Sequence, residues 1–455
     1  MQRQGVHSEH ALGVPRAGPD RAFGRRAPRR PARVHLDERT SPDRLRCIEH
    51  AGQAAEQAPH RRPDGPAGMS APESPTKVVI VQYRLLHYRI RLFELLRERL
   101  RERGVELMLV VGQPSVTERK RNDVGQLPWA LQVRNRFLRL AGKDLLWQPL
   151  PGEARGAGLV VVMQENRILS NYWLQLCRLA GGMPVAFWGH GRNYQSVAPG
   201  GLRERWKRWW LRHVDWWFGY TESTRRYVVD AGFPADRVTT LENAIDDSGF
   251  AGDLASITPP DVVQAAAALG IAPGAQVAIY CGSIYAEKRI AVLLQSADLL
   301  RERLPDFHLL VVGDGPDAAM VHEAARQRPW LHPLGSRVGR EKALYYRMAQ
   351  VMLNPGLVGL HVVDAFVART PIVTQSSALH SPEYDYLEHG RNGLSVPADD
   401  AQSYADAVAG LYLQPGALQA MQQRCAADAG RYTLENMADN FADGVLAFLS
   451  RRGRA

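Results

Sequence analysis

The chain has 455 residues, too many for one compact core and enough for two domains with additional segments. Hydrophobic residues make up 45% and charged residues 23%, an ordinary globular balance, and no apolar run reaches the roughly 18 residues of a spanning helix. The net charge of +10 is split evenly: residues 1–68 hold 13 Arg against 8 acids, so no concentrated nucleic-acid footprint exists in the remainder.

Four cysteines, Cys47, Cys177, Cys281 and Cys425, are scattered without paired spacing. That argues against a zinc site or a disulfide framework and fits a reducing compartment. Residues 1–75 are rich in Arg, Pro, Gly and His and lack the periodicity that builds a core, so a disordered tail is expected. Neither the apolar stretch of a secretory signal nor the acid-poor composition of a transit peptide is present there. Met69 stands where a natural start would lie, and residues 1–68 read as an extension of the gene model.

Order begins at Lys77. Val78–Gln82 is a short apolar run suited to a buried parallel strand, and Ile90–Arg103 follows as an amphipathic helix. Strands are expected at Glu106–Gly112, Leu159–Met163, Pro184–Trp188, Trp216–Tyr220 and Val238–Leu241, with a helix ending at Leu179. This β-α-β alternation over residues 76–250 is that of a doubly wound domain. Residues 251–275 are weak in pattern, carry Pro259-Pro260 and read as a linker. The alternation then restarts over 276–432, with strands at Val277–Cys281, His308–Val312, Leu331–Leu334, Val351–Leu353 and Pro371–Thr374. A last helix, Leu434–Ser450, lies in the closing segment 433–455.

The chemistry concentrates in the second unit. Asn354-Pro-Gly-Leu-Val-Gly-Leu-His-Val-Val-Asp364 places a turn and a small glycine before a helix that carries an acid one turn in. Free N–H groups at such a helix start hold an anion, and the acid can accept from sugar hydroxyls. Tyr280-Cys-Gly-Ser-Ile-Tyr-Ala-Glu-Lys288, Leu309-Leu-Val-Val-Gly-Asp-Gly-Pro316 and Leu334-Gly-Ser-Arg337 are further strand-end loops. His380-Ser-Pro-Glu-Tyr-Asp-Tyr-Leu-Glu-His-Gly-Arg-Asn-Gly-Leu-Ser-Val396 follows.

These segments, in order over about 120 residues, resemble the donor site of retaining nucleotide-sugar glycosyltransferases of the GT-B fold, the family 4 group. The resemblance implies an α/β architecture of two Rossmann-like domains facing a cleft, with the last helix crossing back to the first domain. It also implies a donor site of Gly282, Ser283, Gly313, Gly315, Gly335, Ser336, Arg337, Val358, Gly359, Leu360, Asp364 and Glu383. Lys288 would stabilise the departing diphosphate. Two positions depart from the pattern: Ser283 replaces an Arg, and Gly356 replaces the first of two acids. No metal or other cofactor is expected.

Ligands of such sheets sit beyond the carboxyl ends of the strands. Tyr83, Arg84, Tyr88 and Arg89 after the first strand, Glu165 and Asn166 after Leu159–Met163, and His190 after Pro184–Trp188 should therefore face the acceptor. His190 matches a family His beside the transferred sugar. Glu165 either restores acidity at the cleft or simply pairs with Arg167 or Arg192. Over residues 202–214, Leu202, Trp206, Trp209, Trp210 and Val214 fall within about 140° of arc, with Arg205, Arg208 and Arg212 opposite. The Trp face suits a core, and the Arg face suits the head groups of an anionic membrane.

The resulting reading is a retaining transferase moving a sugar from a nucleotide diphosphate to a glycan or lipid-linked glycan. It would work in cell-surface polysaccharide synthesis, in the cytoplasm or peripherally at the inner face of the plasma membrane. The alternative is a catalytically silent scaffold of the same fold, which Gly356 and Ser283 favour. An epimerase of that fold would need acids and His in the cleft that the sequence does not supply.

Overall fold

The computed structural model describes residues 75–116, 118–121, 123–140, 143–191, 209–377, 379–397 and 399–453. The expected tail and residues 202–208 of the Trp/Arg helix lie outside these.

The first domain runs β1 (Thr76–Gln82), α1 (Ile90–Glu102), β2 (Val105–Val111), β3 (Leu131–Gln132), then a hairpin of β4 (Arg136–Leu140) and β5 (Lys143–Trp147). It continues through β6 (Leu159–Met163), α2 (Leu169–Leu179), β7 (Val185–Gly189), β8 (Trp216–Gly219), α3 (Glu222–Asp230) and β9 (Val238–Thr240). Seven strands form a parallel sheet in the order β3-β2-β1-β6-β7-β8-β9. Val78, Val79 and Ile80 are buried without alternation because elements cover both faces of the sheet.

Between the sheets lie α4 (Ser248–Ser256) and α5 (Pro259–Ala268). The expected linker is thus largely helical. Thr258 and Asp261 form a capping box, and Pro259-Pro260 occupy the first turn, where a missing N–H has no intrahelical partner to lose. The prolines open a helix where a linker is expected. Leu254 and Ile271 pack with Val277 and Ile279, so this segment belongs to the second core.

The second domain follows with β10 (Gln276–Cys281), α6 (Ile290–Arg303), β11 (Phe307–Val312), α7 (Ala318–Ala325), β12 (Leu331–Gly335) and α8 (Gly339–Met348). Next come β13 (Val351–Leu353), α9 (His361–Val367), β14 (Ile372–Gln375), β15 (Gly393–Val396), α10 (Ala401–Leu413), α11 (Pro415–Ala429) and α12 (Leu434–Arg452). Six parallel strands are ordered β12-β11-β10-β13-β14-β15. Each sheet therefore winds outward in both directions from its first strand, and the order reverses beside β1 and beside β10.

Helix α12 returns to the first domain. Leu434, Met437, Phe441, Val445 and Phe448 enter the core built on β1, α1 and β8, and Phe441 stacks on Phe218 at 4.3 Å. Gly444 permits that approach, since a β-carbon there would lie 2.5 Å from Thr239 Oγ1. Two ion pairs, Arg99–Asp439 and Arg103–Asp443, flank the seam.

Candidate functional site: a glycine-led loop beside two lysines

The loops beyond β10, β11 and β12 are stitched together through their backbones. Gly282 N donates to Val312 O at 2.9 Å, Ile284 N to Asp314 O at 2.9 Å, and Gly313 N to Gly335 O at 2.8 Å. A β-carbon on Gly313 would overlap Gly282 O, so no larger residue fits. Gly315 abuts Ile284 O in the same way. Ser283, Ser336 and Arg337 are exposed along this shelf, and Arg337 makes only a loose pair with Glu341 at 3.7 Å.

The loop from Asn354 to Leu360 joins β13 to α9. Leu357 N donates to Glu287 O at 2.9 Å, and Lys288 Nζ donates to Leu357 O at 2.5 Å, so the Lys288 loop and the donor-type loop are laced together. A β-carbon on Gly356 would lie 2.5 Å from the Lys288 α-carbon and overlap Glu287 O. The space of the missing first acid is therefore filled by the backbone of residues 287–288. Val358, fully buried, donates its N–H to His380 Nδ1 at 3.1 Å. Gly359 faces Ser381 at ordinary contact distance, and Leu360 caps α9, where Val362 N donates to Gly359 O at 3.1 Å and Val363 N to Leu360 O at 3.0 Å.

Lys288 is 5% exposed, and burial pulls its pKa down to about 8. Asp364, also buried, accepts from Lys342 Nζ at 2.7 Å. His361 is enclosed nearby; burial first, then Lys288 and Lys342, holds its pKa well below the usual value, and its Nε2 faces Asn354 Nδ2 at 3.0 Å. His380, at about 4 chiefly through burial, stacks on Tyr384 at 3.9 Å. Two lysines thus stand beside the loop, and the Asp364 carboxylate pairs with one of them, which leaves the Lys288 ammonium as the charge that can receive an anion. Among the described residues no three His, Cys, Asp or Glu side chains cluster in a way that would hold a metal ion.

On the first domain the acceptor-side residues fall into two clusters. In one, Arg84 donates to Tyr83 Oη at 3.0 Å and to Asp123 at 2.7 Å. Arg167 pairs with Glu165 at 2.7 Å and with Glu118 at 3.0 Å, and lies 4.6 Å from the Tyr83 ring. The salt-bridge reading of Glu165 is the one observed. Asn166 is exposed beside it and offers its carbonyl to Tyr172.

In the other cluster, Arg89 is buried, donates to Tyr220 Oη at 2.7 Å and lies 4.4 Å from the Trp188 ring and 5.8 Å from Tyr88. His190 packs edge-on against Tyr220 at 4.5 Å. Its ring is accessible to solvent yet crowded by protein, and desolvation together with Arg89 lowers its pKa to about 4. Glu383 turns towards this side: its carboxylate, kept above the usual range by burial, accepts from Asn243 Nδ2 at 2.6 Å. With Ser223 N donating to Asp385 at 2.6 Å and Tyr386 Oη to Asn243 O at 3.0 Å, it ties the two domains together.

Sequence reasoning missed Lys342, His361 and His380. A signal for the first was present, because the chain has only six Lys against 51 Arg. The only two in the second domain, Lys288 and Lys342, meet at this loop. His361 and His380 stood inside quoted motifs without a role.

Two parallel doubly wound sheets joined through their strand-end loops, with a last helix returned to the first, define the GT-B class. Family models agree: "Glycosyltransferase Family 4" matches residues 91–248 and "Glycosyl transferases group 1" matches 275–414, together more than half the chain. The chain belongs to the family 4 glycosyltransferases.

Among curated relatives, D-inositol 3-phosphate glycosyltransferase of Mycobacteroides abscessus is 29% identical over 276 residues, 55% of this chain and 59% of that protein. Phosphatidyl-myo-inositol mannosyltransferase of Mycolicibacterium smegmatis is 32% identical over 27% of this chain and 32% of its own length. The chain thus spans at most about three fifths of these relatives. Among solved structures, Anabaena HepE in complex with UDP matches with a TM-score of 0.58 at 13% identity, over 81% of this chain and 99% of that one. The apo lipopolysaccharide outer core galactosyltransferase WaaB matches at 0.55 and 11% identity, over 82% and 99%.

Proposed function

We propose that this glycosyltransferase moves a sugar from a nucleoside diphosphate to a hydroxyl of a glycan or lipid-linked glycan, with retention and without a metal. The observation that carries this reading is the meeting of Lys288, Lys342 and Asp364 around one glycine-led loop at a helix start. Lys288 and the His361 N–H at the start of α9 would receive the diphosphate, and Asp364 the ribose hydroxyls. The bond from the anomeric carbon to the diphosphate breaks, and the acceptor oxygen bonds to that carbon on the same face. Its proton passes to the departing diphosphate oxygen. His190, neutral and accessible, would lie against the sugar, with Tyr83, Arg84, Tyr88, Arg89 and Asn166 on the acceptor side.

HepE has been solved with UDP and with UDP-glucose, and the curated relatives carry D-inositol 3-phosphate and phosphatidyl-myo-inositol in their names. Both facts favour a nucleotide-sugar donor and a phosphorylated or lipid-borne acceptor. The proposed place of work is the cytoplasm and the inner membrane face, in surface polysaccharide synthesis. Among the described residues no helix is long and apolar enough to cross a membrane.

The silent-scaffold reading draws on Gly356, whose missing carboxylate has no room to be restored. Thermal-shift and turnover measurements against UDP- and GDP-sugars separate the two. Stabilisation followed by release of free nucleotide supports the enzyme. Stabilisation without turnover for every sugar leaves the scaffold, and the anomeric configuration of a product tests retention.

A further inference from the structure

Arg89 is out of place for a core position. It is buried, closes the short turn His87–Arg89 after β1, and lies against the indole of Trp188 at 4.4 Å. A buried guanidinium is destabilising unless a carboxylate meets it, and a Leu or Met would fill this volume without that penalty. The groups that bear most on its charge are the phenols of Tyr220 and Tyr88. Glu383 of the second domain lies within its field, yet that carboxylate accepts from Asn243 at 2.6 Å and is kept above the usual range by burial. The fold keeps a cation where packing alone does not require one.

The guanidinium holds a tyrosine, and the tyrosine holds a histidine. Arg89 Nη2 donates to Tyr220 Oη at 2.7 Å, and the buried Tyr220 ring meets the His190 ring edge-on at 4.5 Å and 61°. The backbone that carries His190 is packed closely on both sides. A β-carbon on Gly189 would lie 3.1 Å from Gln164 Cβ, and one on Gly191, where φ is +68°, would lie 3.0 Å from Val228 Cγ2 of α3. With the backbone fixed, the freedom left to His190 is rotation of its ring, and Tyr220 forms the wall beside it. The ring is exposed at the carboxyl end of β7, where ligands of such sheets sit. Desolvation first, then Arg89, keeps the imidazole neutral down to about pH 4, while Tyr88 and Glu383 act on Tyr220. A neutral imidazole retains a nitrogen lone pair that an imidazolium lacks.

We infer that Arg89 is a positioning residue: through Tyr220 it fixes the His190 ring at the cleft in the form that accepts a hydrogen bond from a hydroxyl of the transferred sugar. The sugar rests on the proposed transfer reaction; the linkage from Arg89 through Tyr220 to His190 does not.

The test uses the full chain carrying Arg89→Met with Tyr220→Phe, Arg89→Lys alone, or His190→Gln. The double variant removes both partners of one hydrogen bond and strands neither, so its melting temperature should equal or exceed that of the wild type. In NMR titrations, with the His190 signal assigned by its loss in His190→Gln, the ring should titrate near 4 in the wild type. In the double variant it should titrate about one unit or more higher. There kcat should fall about 10- to 10²-fold with donor KM little changed, as loss of alignment does. The loss should deepen below about pH 6, where the variant ring takes up its proton. Arg89→Lys keeps the charge without the planar fork, so His190 should still titrate low while kcat falls. A double variant that melts well below the wild type would make Arg89 a structural residue, and an unchanged His190 titration would show no linkage; either overturns the inference. So does a double variant whose kcat matches the wild type at both pH 7 and pH 5.5. A wild type that turns over no sugar nucleotide defeats the transfer reading instead, and the titrations and melts still decide the linkage.

Discussion

Gly356 lies with its α-carbon against the backbone of Lys288, close enough that a side chain at 356 has no volume to enter. The two residues are 68 positions apart, and their contact joins the loop after β10 to the loop before α9. Restoring the family acid here is therefore not a repair. Gly356→Glu and Gly356→Ala should both push the loops apart and destabilise by about 1–3 kcal/mol or more, as overpacking does. Thermal melts check this, and a Gly356→Glu variant with unchanged melting and raised turnover would contradict it.

Lys288→Ala should lower turnover by about 10²–10³, as loss of a preorganised charge partner does, and should also lower the melting temperature through loss of the bond to Leu357 O. The pH dependence carries a sign. Lys288 titrates at about 8 in the fold against 10.5 ordinarily. Above pH 8 it loses the proton that the diphosphate needs, so donor binding should weaken there, measured by calorimetry from pH 7 to 9. Over the same window the unfolded chain binds more protons than the native one, so this group makes stability rise with pH. Opposite slopes for donor affinity and melting temperature are the expected signature.

Asp364 and Lys342 form a partly buried pair. Asp364→Asn should weaken binding of the sugar-free nucleoside diphosphate by about 1–3 kcal/mol, the usual cost of an impaired charged hydrogen bond. Asp364→Glu should be milder. Lys342→Met should also destabilise the fold by stranding the carboxylate, and adding Asp364→Asn should recover part of that loss. Calorimetric titration and urea melts of the four proteins give the cycle. Equal nucleotide affinity for wild type and Asp364→Asn would leave the acid as a helix-start charge.

Acid should unfold this protein early. His332 and His380 titrate at about 4, both mainly through burial, whereas the unfolded imidazoles titrate near 6.5. The stability these two rings contribute is fully present above about pH 6.5 and is lost as pH falls towards 4, because the unfolded chain takes up the protons first. Melting temperature should fall steadily across that window, and His332→Gln should flatten the slope. A flat profile from pH 6.5 to 4.5 would show these rings already charged in the fold.

Strands were the legible part of this fold. Runs such as Val78-Val79-Ile80 sit buried on both faces, and that duplicates the signal a parallel strand needs. Pro259-Pro260 misled because the same residues break a helix interior and open a helix start, and only the cap at Thr258 tells the two apart. Within the site, Lys288 and Asp364 were found because each stands in a contiguous motif. Lys342 was not, since its meeting with Asp364 depends on how α8 packs beside α9. The partner of Glu383, Asn243, lies 140 residues away in the other domain. The filling of the Gly356 space is a backbone contact, to which side-chain patterns are blind.

Helix α12 fixes an order of events during synthesis. The first domain leaves the ribosome long before residues 434–452, yet Leu434, Met437, Phe441, Val445 and Phe448 are part of its core. Until they emerge, Phe218 and Trp188 lack the aromatic neighbour that Phe441 supplies. The half of the molecule made first is the half completed last, and translation of the whole second domain intervenes. A nascent chain at that stage carries an open apolar seam of the kind that holdase chaperones bind, so ribosome-bound intermediates shorter than about 450 residues should depend on such help more than the released protein does.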